Sequence, residues 1–309
     1  MANEENKTTV HAFWQAITAN DEDALREVLA PDLVAYNQVG SAPQSREEHI
    51  QGILQWSQSF SANRFEIEEQ ICEGSTVVTR GVMRAVHSED SFQGVPPSGI
   101  ELAVPGITIE RIADGRIAER HVCSDRLGLL QSLGILPAPQ AGGESASGRD
   151  RAKIPVGAET DDRKSLEQME DTVMNGEEQK AIARRYFHAC QGNDQSTLKA
   201  VLSAELVAHH PGLAAPLNRD ALLHMIDSFS EAFSAQEYTI EEQVAEGDTV
   251  ASRVTWRATH SGPFQDVPAT GRQIAVGGIA ISRIQNGQIV ERWLTMDQMG
   301  MLKQLGLVP

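Results

Sequence analysis

The stretch FSANRFEIEEQICEGSTVVTRG (60–81) recurs as FSAQEYTIEEQVAEGDTVASRV (233–254), with 12 of the 22 positions identical. A second block, ITIERIADGRIAERHVCSDRLGLLQSLGILP (107–137), returns as IAISRIQNGQIVERWLTMDQMGMLKQLGLVP (279–309). The offset changes only from 173 to 172, which one deletion near Glu89 explains. Solenoid repeats have periods of about 20 to 50 residues, so this longer period indicates one whole domain copied in tandem.

The chain of 309 residues is about twice the usual domain length, and the sequence predicts domains at 1–137 and 177–309. The segment between them, 138–176, is rich in Ala, Gly, Ser, Pro and charged residues and poor in large apolar ones. This composition predicts a flexible linker, since it cannot offset the entropy of ordering. About forty flexible residues have an r.m.s. span of about 35 Å, enough for the two copies to pair side by side.

Composition and charge argue against several classes of partner. Acidic residues number 43 against 26 basic ones, a net charge of −17, which argues against nucleic acid or an anionic membrane. The opening MANEENKTT lacks the features of a signal peptide, and no later stretch approaches the roughly 20 apolar residues of a spanning helix. The cysteines Cys72, Cys123 and Cys190 are too scattered for a disulfide framework or a cysteine zinc site. We therefore expect a cytoplasmic protein.

Each copy opens with patterns typical of helices. Apolar residues at i, i+3, i+4 and i+7 predict an amphipathic first helix in both copies, with the stripes Val10, Phe13, Trp14, Ile17 and Ala183, Tyr186, Phe187, Cys190. Asn20-Asp21 and Asn193-Asp194 offer N-caps for a short second helix. A third helix is predicted to begin after Ser45, which forms a capping box with Glu48, and after Asn218 in the second copy.

From Phe65 onward the apolar period becomes two. The pattern predicts strands near 65–73, 76–88, 99–112 and 116–124, separated by pairs of turn-forming residues. Helices followed by such strands predict an α+β fold of two tandem cone-shaped domains, each a curved mixed or antiparallel sheet wrapped around helices. The open end of such a cone is a usual place for a small-molecule pocket.

Two stretches of the second copy carry a resemblance to a known family. THSGPFQDVPATGR (259–272) and the W-x-x-x-D-x-x-G-x-x-x-Q-L-G tail (293–306), in this order of elements, resemble the SnoaL-like polyketide cyclase or ester cyclase family, which has the nuclear-transport-factor-two-like α+β cone. The resemblance covers nearly all of both copies and fails only across the linker. It implies a cyclase, isomerase, hydrolase or a member without known activity. Members commonly associate through their sheets, so we expect an intramolecular pseudo-dimer, with further homo-oligomers left open.

Alternation along the strands gives candidate inward-facing rows, because side chains at i, i+2 and i+4 share a face. On the second strand the predicted inward rows end in histidine: Val77, Gly81, Met83, Ala85, His87 and Val250, Val254, Trp256, Ala258, His260. Arg253 and Arg257 take the opposite face, which we expect to be solvent. On the last strand the predicted rows end in aspartate: His121, Cys123, Asp125 and Trp293, Thr295, Asp297.

The resemblance implies a catalytic role for these aspartates. In the resembled cyclases an aspartate in this part of the chain is the acid/base, and the motif places that role on Asp125 and Asp297. Intramolecular aldol closure needs such a group, and an apolar cone raises a carboxylate pKa toward a working value. His87 or His260 could stabilise the enolate oxygen. The alternatives are that both aspartates are N-caps of the following helices and that both histidines are structural.

Further residues are predicted to contact substrate at the cone mouths: Tyr36, Asn37, Met83, His121, His209, His210, Trp256 and Trp293. The second copy has the more aromatic set, so we expect it to be the working site for flat conjugated ligands. The alternative is that both cavities work on successive steps. No H-x-x-x-H or H-E-x-x-H spacing supports zinc binding by the histidines, and we expect neither a metal nor a cofactor.

One departure from the family pattern bears on the mechanism. Many members carry W-D-x-x-D on the last strand, whereas Val122 follows His121 and Leu294 follows Trp293 here. A carboxylate of a possible pair is therefore missing in both copies. The leading hypothesis is a cyclase or isomerase acting on a small hydrophobic or aromatic, polyketide-like carbonyl substrate. The alternatives are an epoxide-opening or other hydrolase and a non-catalytic small-molecule binder.

Overall fold

The computed structural model describes residues 2–137, 174–210, 212–213, 215–264 and 267–308, so most of the predicted linker lies outside the described residues. The helices of the first domain are α1 (Ala2–Ala19), α2 (Glu22–Val28), α3 (Arg46–Ser59) and α4 (Arg126–Ser132). Its strands are β1 (Leu29–Tyr36), β2 (Phe60–Glu73), β3 (Thr76–His87), β4 (Glu101–Ala113) and β5 (Arg116–Ser124).

The second domain repeats this order. Its helices are α5 (Gly176–Gln191), α6 (Gln195–Val201), α7 (Arg219–Ala232) and α8 (Gln298–Leu305). Its strands are β6 (Leu202–His209), β7 (Phe233–Glu246), β8 (Thr249–His260), β9 (Gln273–Gln285) and β10 (Gln288–Met296). The predicted α+β fold of two tandem domains is thereby confirmed.

Each domain contains one five-stranded sheet, ordered β1-β5-β4-β3-β2 in the first and β6-β10-β9-β8-β7 in the second. The neighbours from β2 to β5 and from β7 to β10 are antiparallel, whereas β1 lies parallel to β5 and β6 parallel to β10. The strands β1 and β6 were not predicted. They complete a mixed sheet whose inner face is covered by the helices.

The helices begin where the sequence predicts. Asp21 and Asp194 cap α2 and α6, and Asn218 caps α7. Ser45 and Glu48 form the predicted capping box at α3, in which each side chain accepts from the other residue's backbone N–H. The two apolar stripes of the first helices are fully or nearly fully buried against the sheets. Helix packing on the inner sheet face therefore forms a hydrophobic core in each domain.

The outer faces of the two sheets pack against each other. A third apolar cluster combines residues of both domains: Val39, Ile71, Val78, Ile107, Ile109 and Cys123 with Val244, Ala251, Ile279 and Ile281. The expectation that the Arg253 face is solvent is therefore wrong for its central part, where Ala251 is buried and Arg253 is half-buried beneath the other sheet. Only the end that carries Arg257 is exposed.

Reciprocal ion pairs surround this apolar contact. Lys7 Nζ lies 2.8 Å from Glu246, and its counterpart Lys180 Nζ lies 2.7 Å from Glu73. Two further reciprocal pairs join Arg111 to Glu242 at 3.1 Å and Arg283 to Glu69 at 3.0 Å. Equivalent residues of the two copies thus meet in exchanged positions, as in the interface of a two-fold symmetric dimer.

Candidate functional site

Each domain holds a cavity between its helices and the inner face of its sheet. The first cavity has a volume of about 260 Å³ and the second about 80 Å³. Equivalent positions line both, but the second carries bulkier side chains. Trp256, Met225 and Met296 stand where the first domain has Met83, Gly52 and Ser124. The first cavity is therefore the roomier of the two.

In the last strand of each domain, the side chains that line the cavity belong to the row predicted to face away from it. In β5, Ile117 pairs with Ile112 and Glu119 with Arg111, which leaves Ala118 as an extra bulged residue. In β10, Val290 is the matching extra residue. A one-residue bulge moves every following side chain to the other face. The cavities are consequently lined by Arg120, Val122 and Ser124 and by Arg292, Leu294 and Met296.

The row predicted to face inward lies between the domains instead. Cys123 belongs to the interdomain cluster, and Trp293 packs against it beneath the guanidinium of Arg80, 4.3 Å from the ring centroid. His121 stacks on Tyr36 with centroids 4.6 Å apart, and its counterpart pair is formed by His209 and Trp293 at 5.2 Å. Burial lowers the pKa of His121, and Arg253 of the other domain adds to this effect.

Asp125 and Asp297 are N-caps in the structure. Each carboxylate accepts from a backbone N–H, Gly128 at 2.8 Å and Gly300 at 2.9 Å. A Cβ at either glycine would lie within 2.4 Å of the capping carboxylate, which explains why glycine follows each aspartate three residues later. Burial raises the pKa of the Cys123 thiol, and the nearby charges of Asp297 and Asp125 contribute to this rise. Neither aspartate lines the cavity inside its own domain. The acid/base role of these aspartates stays a prediction.

His87 and His260 are completely buried and line neither cavity. The Nδ1 atom of His87 lies 3.1 Å from Ser98 Oγ, and that of His260 lies 3.0 Å from Thr270 Oγ1. Each ring also packs on a phenylalanine. These contacts fasten the loop after β3 or β8 to the strand end, which corresponds to the structural alternative. A role in substrate binding for either histidine stays a prediction.

Four of the other predicted contact residues do reach a cavity. Asn37 and Met83 line the first, and His210 and Trp256 line the second. Asp125, His209 and Trp293 line a third cavity of about 320 Å³ between the domains, which His210 also borders. The predicted substrate-contact residues thus lie in two locations, inside each domain and between the two domains.

The floor of the first cavity carries a buried ion pair that sequence reasoning missed. Arg120 Nε donates to Glu110 Oε1 at 3.1 Å, and the two residues are 4 % and 0 % exposed. His49 Nε2 lies 3.4 Å from Arg120 Nη1. Burial and the nearby guanidinium lower the pKa of His49 to about 3, so its imidazole is neutral near pH 7. Arg120 and His49 line the cavity, whereas Glu110 stands behind them.

The floor of the second cavity carries the equivalent arginine without its acid. Arg292 is 3 % exposed, and across the sheet it faces Ser282 where Arg120 faces Glu110. Leu222 takes the place of His49. Within the described part of the chain, no side chain or backbone group hydrogen-bonds or ion-pairs with Arg292, and its Nε is buried without a partner.

Aromatic rings surround Arg292. Its guanidinium carbon lies 4.6 Å from the ring centroid of Tyr186 and 5.7 Å from that of Phe187. Tyr238 and Trp256 complete an aromatic wall. Burial raises the pKa of both Tyr186 and Tyr238, so both hydroxyls stay protonated at neutral pH.

Neither cavity is lined by a carboxylate among the residues that the structure describes. The positions at which many members of the resembled family carry aspartate, Val122 and Leu294, do face the cavities. The signal that could have found the arginines is the pair E-R at 119–120 and 291–292, which places a cation at the same point of both last strands.

Membrane-spanning helices and metal-binding clusters are absent from the described residues. No helix there is long and apolar enough to cross a membrane. No group of three or more His, Cys, Asp or Glu side chains there is arranged to hold a metal ion.

A family comparison matches both copies. The model of the SnoaL-like polyketide cyclases matches residues 7–133 and 180–305. A comparison with curated proteins gives no match.

Solved structures match one domain's length of this chain. IdmH, a putative polyketide cyclase from Streptomyces antibioticus, is 31% identical over 41% of this chain and 98% of its own, with a TM-score of 0.39. AclR, a putative hydroxylase from Streptomyces galilaeus, is 25% identical over 44% of this chain and 100% of its own, with a TM-score of 0.41. TsrD from Streptomyces laurentii is 24% identical over 44% and 99%, with a TM-score of 0.40.

Proposed function

We propose that this chain, which belongs to the SnoaL-like polyketide cyclase family, is a cyclase or isomerase that acts on a neutral, polyketide-like carbonyl compound in its first cavity. The observation that carries the proposal is the Arg120 guanidinium at the floor of that cavity, with Glu110 behind it. Formation of an enolate places negative charge on a carbonyl oxygen, and a fixed cation beside that oxygen stabilises it.

The Glu110–Arg120 pair suits a substrate that is neutral when it binds. The pair carries no net charge, so the resting cavity does not select for an anion. Its cationic end lines the cavity and its anionic end does not, so the oriented pair favours negative charge that develops only during the reaction. An interaction that strengthens toward the transition state raises the rate of the chemical step.

His49 acts as a positioning residue in this proposal. A neutral imidazole whose conjugate acid has a pKa of about 3 is a poor proton acceptor at neutral pH. Its Nε2 atom instead accepts from Arg120 and helps to hold the guanidinium against the cavity. The described lining has no carboxylate, so we assign the side chains of this cavity to stabilising the enolate oxygen rather than to accepting the α-proton.

The remaining walls suit a flat, apolar substrate. Trp14, Trp56 and Phe65 contribute rings to the first cavity, together with aliphatic residues. Such walls bind conjugated systems and exclude bulk water, which strengthens the effect of Arg120 on a developing oxyanion.

A non-catalytic binder is the second candidate, and the observation that favours it is Val122 at the position where many family members carry aspartate. An epoxide-opening hydrolase is less well supported, because that chemistry uses paired carboxylates and the described lining offers none.

The test is hydrogen–deuterium exchange at the α-carbon of 1-tetralone, a flat neutral aryl ketone, followed by NMR in deuterated buffer. The full chain is expected to accelerate exchange above the buffer rate. The double variant Arg120→Met/Glu110→Leu removes both charges and leaves neither partner buried alone, and its acceleration should fall about 10²-fold or more. Arg257→Met removes an exposed arginine of the second domain and should leave the exchange rate unchanged.

Each outcome separates the candidates. Binding of 1-tetralone without accelerated exchange would favour the non-catalytic binder. Acceleration that survives in the double variant would refute the role of Arg120.

A further inference from the structure

We propose that the second cavity is a binding site for a small planar organic anion, an aromatic or conjugated carboxylate, whose carboxylate pairs with Arg292. This proposal concerns a different cavity from the carbonyl chemistry and does not depend on it.

The first argument is the unmet charge of Arg292. The residue is 3 % exposed and has no hydrogen bond or ion pair with any described residue. A buried cation without a counter-ion is costly, because the lost hydration is not replaced. An arginine offers a planar fork of donors that matches a carboxylate in a bidentate pair.

The second argument comes from the other copy, which shows how this fold neutralises the same arginine. Arg120 has aromatic neighbours at the equivalent positions, with its guanidinium 4.7 Å from the centroid of Phe13 and 5.1 Å from that of Trp14. It has Glu110 in addition. The first domain therefore does not rely on cation–π contacts alone to stabilise its cation. In the second domain the acid is replaced by Ser282, whose hydroxyl carries no charge.

The third argument is the shape and chemistry of the space in front of Arg292. The cavity is walled by the aromatic rings of Tyr186, Tyr238, Trp256 and Phe229, which can stack on a flat ring system. No acidic side chain among the described lining residues would repel an anion. The protonated tyrosine hydroxyls are donors rather than anions.

The test compares trans-cinnamate with trans-cinnamamide, which have the same planar frame but differ in charge, by isothermal titration of the full chain. We expect cinnamate to bind at least about tenfold more tightly, since a hydrogen-bonded charge pair in a desolvated site exceeds its neutral counterpart by at least that factor. Arg292→Met should abolish this preference. Arg257→Met, which removes an exposed arginine, should preserve it.

A second variant keeps the arginine and supplies the counter-ion that the first domain already has. Ser282→Glu should lower the affinity for cinnamate at least about tenfold and change that for cinnamamide less than about threefold. Circular dichroism of each variant checks that the fold is retained, and Ser282→Glu answers the question if Arg292→Met does not fold. Equal binding of the two ligands, a preference that survives in Arg292→Met, or no binding of either at millimolar concentration would overturn the proposal.

Discussion

The two cavities are built from equivalent positions, yet the buried arginine at the floor has an acidic partner in the first domain and none among the described residues in the second. In the first domain Glu110 neutralises Arg120 inside the protein, and His49 lies beside the pair. In the second domain Ser282 and Leu222 stand at those places, and Arg292 has no acid among the described residues. One duplicated fold thus provides a site suited to a neutral ligand and a site suited to an anionic one. The difference depends on two floor residues rather than on the fold.

The largest expected effect distinguishes the two arginines by stability. Arg120→Met would leave Glu110, which is 0 % exposed, buried without its partner. Removing one member of a buried pair costs about 3–5 kcal/mol, so the first domain should lose that much free energy of unfolding. Arg292→Met should cost little or should stabilise, because no buried acid is left behind. Urea unfolding of both variants measures the difference, and equal losses would contradict the contrast between the floors.

The second prediction concerns acid sensitivity and His49. Its pKa is lowered from 6.5 to about 3 in the folded protein. Between these values the unfolded chain takes up a proton that the folded chain does not, so stability falls as the pH falls, by about 1.4 kcal/mol per pH unit well below 6.5.

His49→Leu introduces the residue type of the second domain and removes this dependence. The free energy of unfolding should then decline less between pH 6.5 and pH 4.5, by about 2.5 kcal/mol relative to the parent chain. Unfolding curves of both proteins across that range provide the measurement. Parallel pH profiles would show that folding does not lower the pKa of His49.

The helical half of this architecture could be predicted from the sequence because its determinants are local. The stripe from Val10 to Ile17, the caps at Asp21 and Asn218, and the capping box at Ser45 each involve residues within two turns of one another. The strand β1 was missed because LAPDLVAY contains a proline and an aspartate. It is a strand through its parallel pairing with β5, a contact between residues distant in the sequence.

The candidate site was predicted only in part, and the bulges at Ala118 and Val290 are the main reason. Counting alternate residues from Ile117 leads to His121 and Asp125, whereas the extra residue turns Arg120 and Val122 toward the cavity. Burial could not correct the count, because the helices cover one face of β5 and the second sheet covers the other. The Glu110–Arg120 pair joins two strands, and neither sequence stretch marks it as a pair.

A third prediction extends the comparison to the contact between the domains. Val39 is buried against Gly277, where a Cβ would lie 2.4 Å from Val39 Cγ1 and 2.6 Å from its carbonyl oxygen. At the equivalent positions, Gly212 and Pro105, a Cβ on Gly212 would meet only the Gln298 side chain at 3.9 Å, and Pro105 borders the open interdomain cavity. Gly277→Ala should therefore cost about 1–3 kcal/mol through overpacking.

The matched control is Pro105→Ala, a change at an exposed position that should stay within about 0.5 kcal/mol. Thermal unfolding of the two variants tests the asymmetry. A similar small cost for both would show that the Val39 loop moves aside and that the two sides of the interface are mechanically alike.

The smallest expected effect concerns the residues that the two domains share, the aspartates at the start of α4 and α8. Asp125→Asn and Asp297→Asn should each change the free energy of unfolding by no more than a few tenths of a kcal/mol, because asparagine is nearly as good an N-cap as aspartate. Asp297→Ala should cost about 1 kcal/mol by leaving the N–H of Gly300 without its acceptor. Since neither aspartate lines the cavity inside its own domain, the asparagine variants should also exchange the α-protons of 1-tetralone at the parent rate. A loss of about 10² or more in that rate with unchanged stability would instead assign the acid/base role to the aspartates, since replacing a general base costs about that factor. Capping and proton transfer thus predict the same small stability change but different rates, and the exchange measurement distinguishes them in each domain separately.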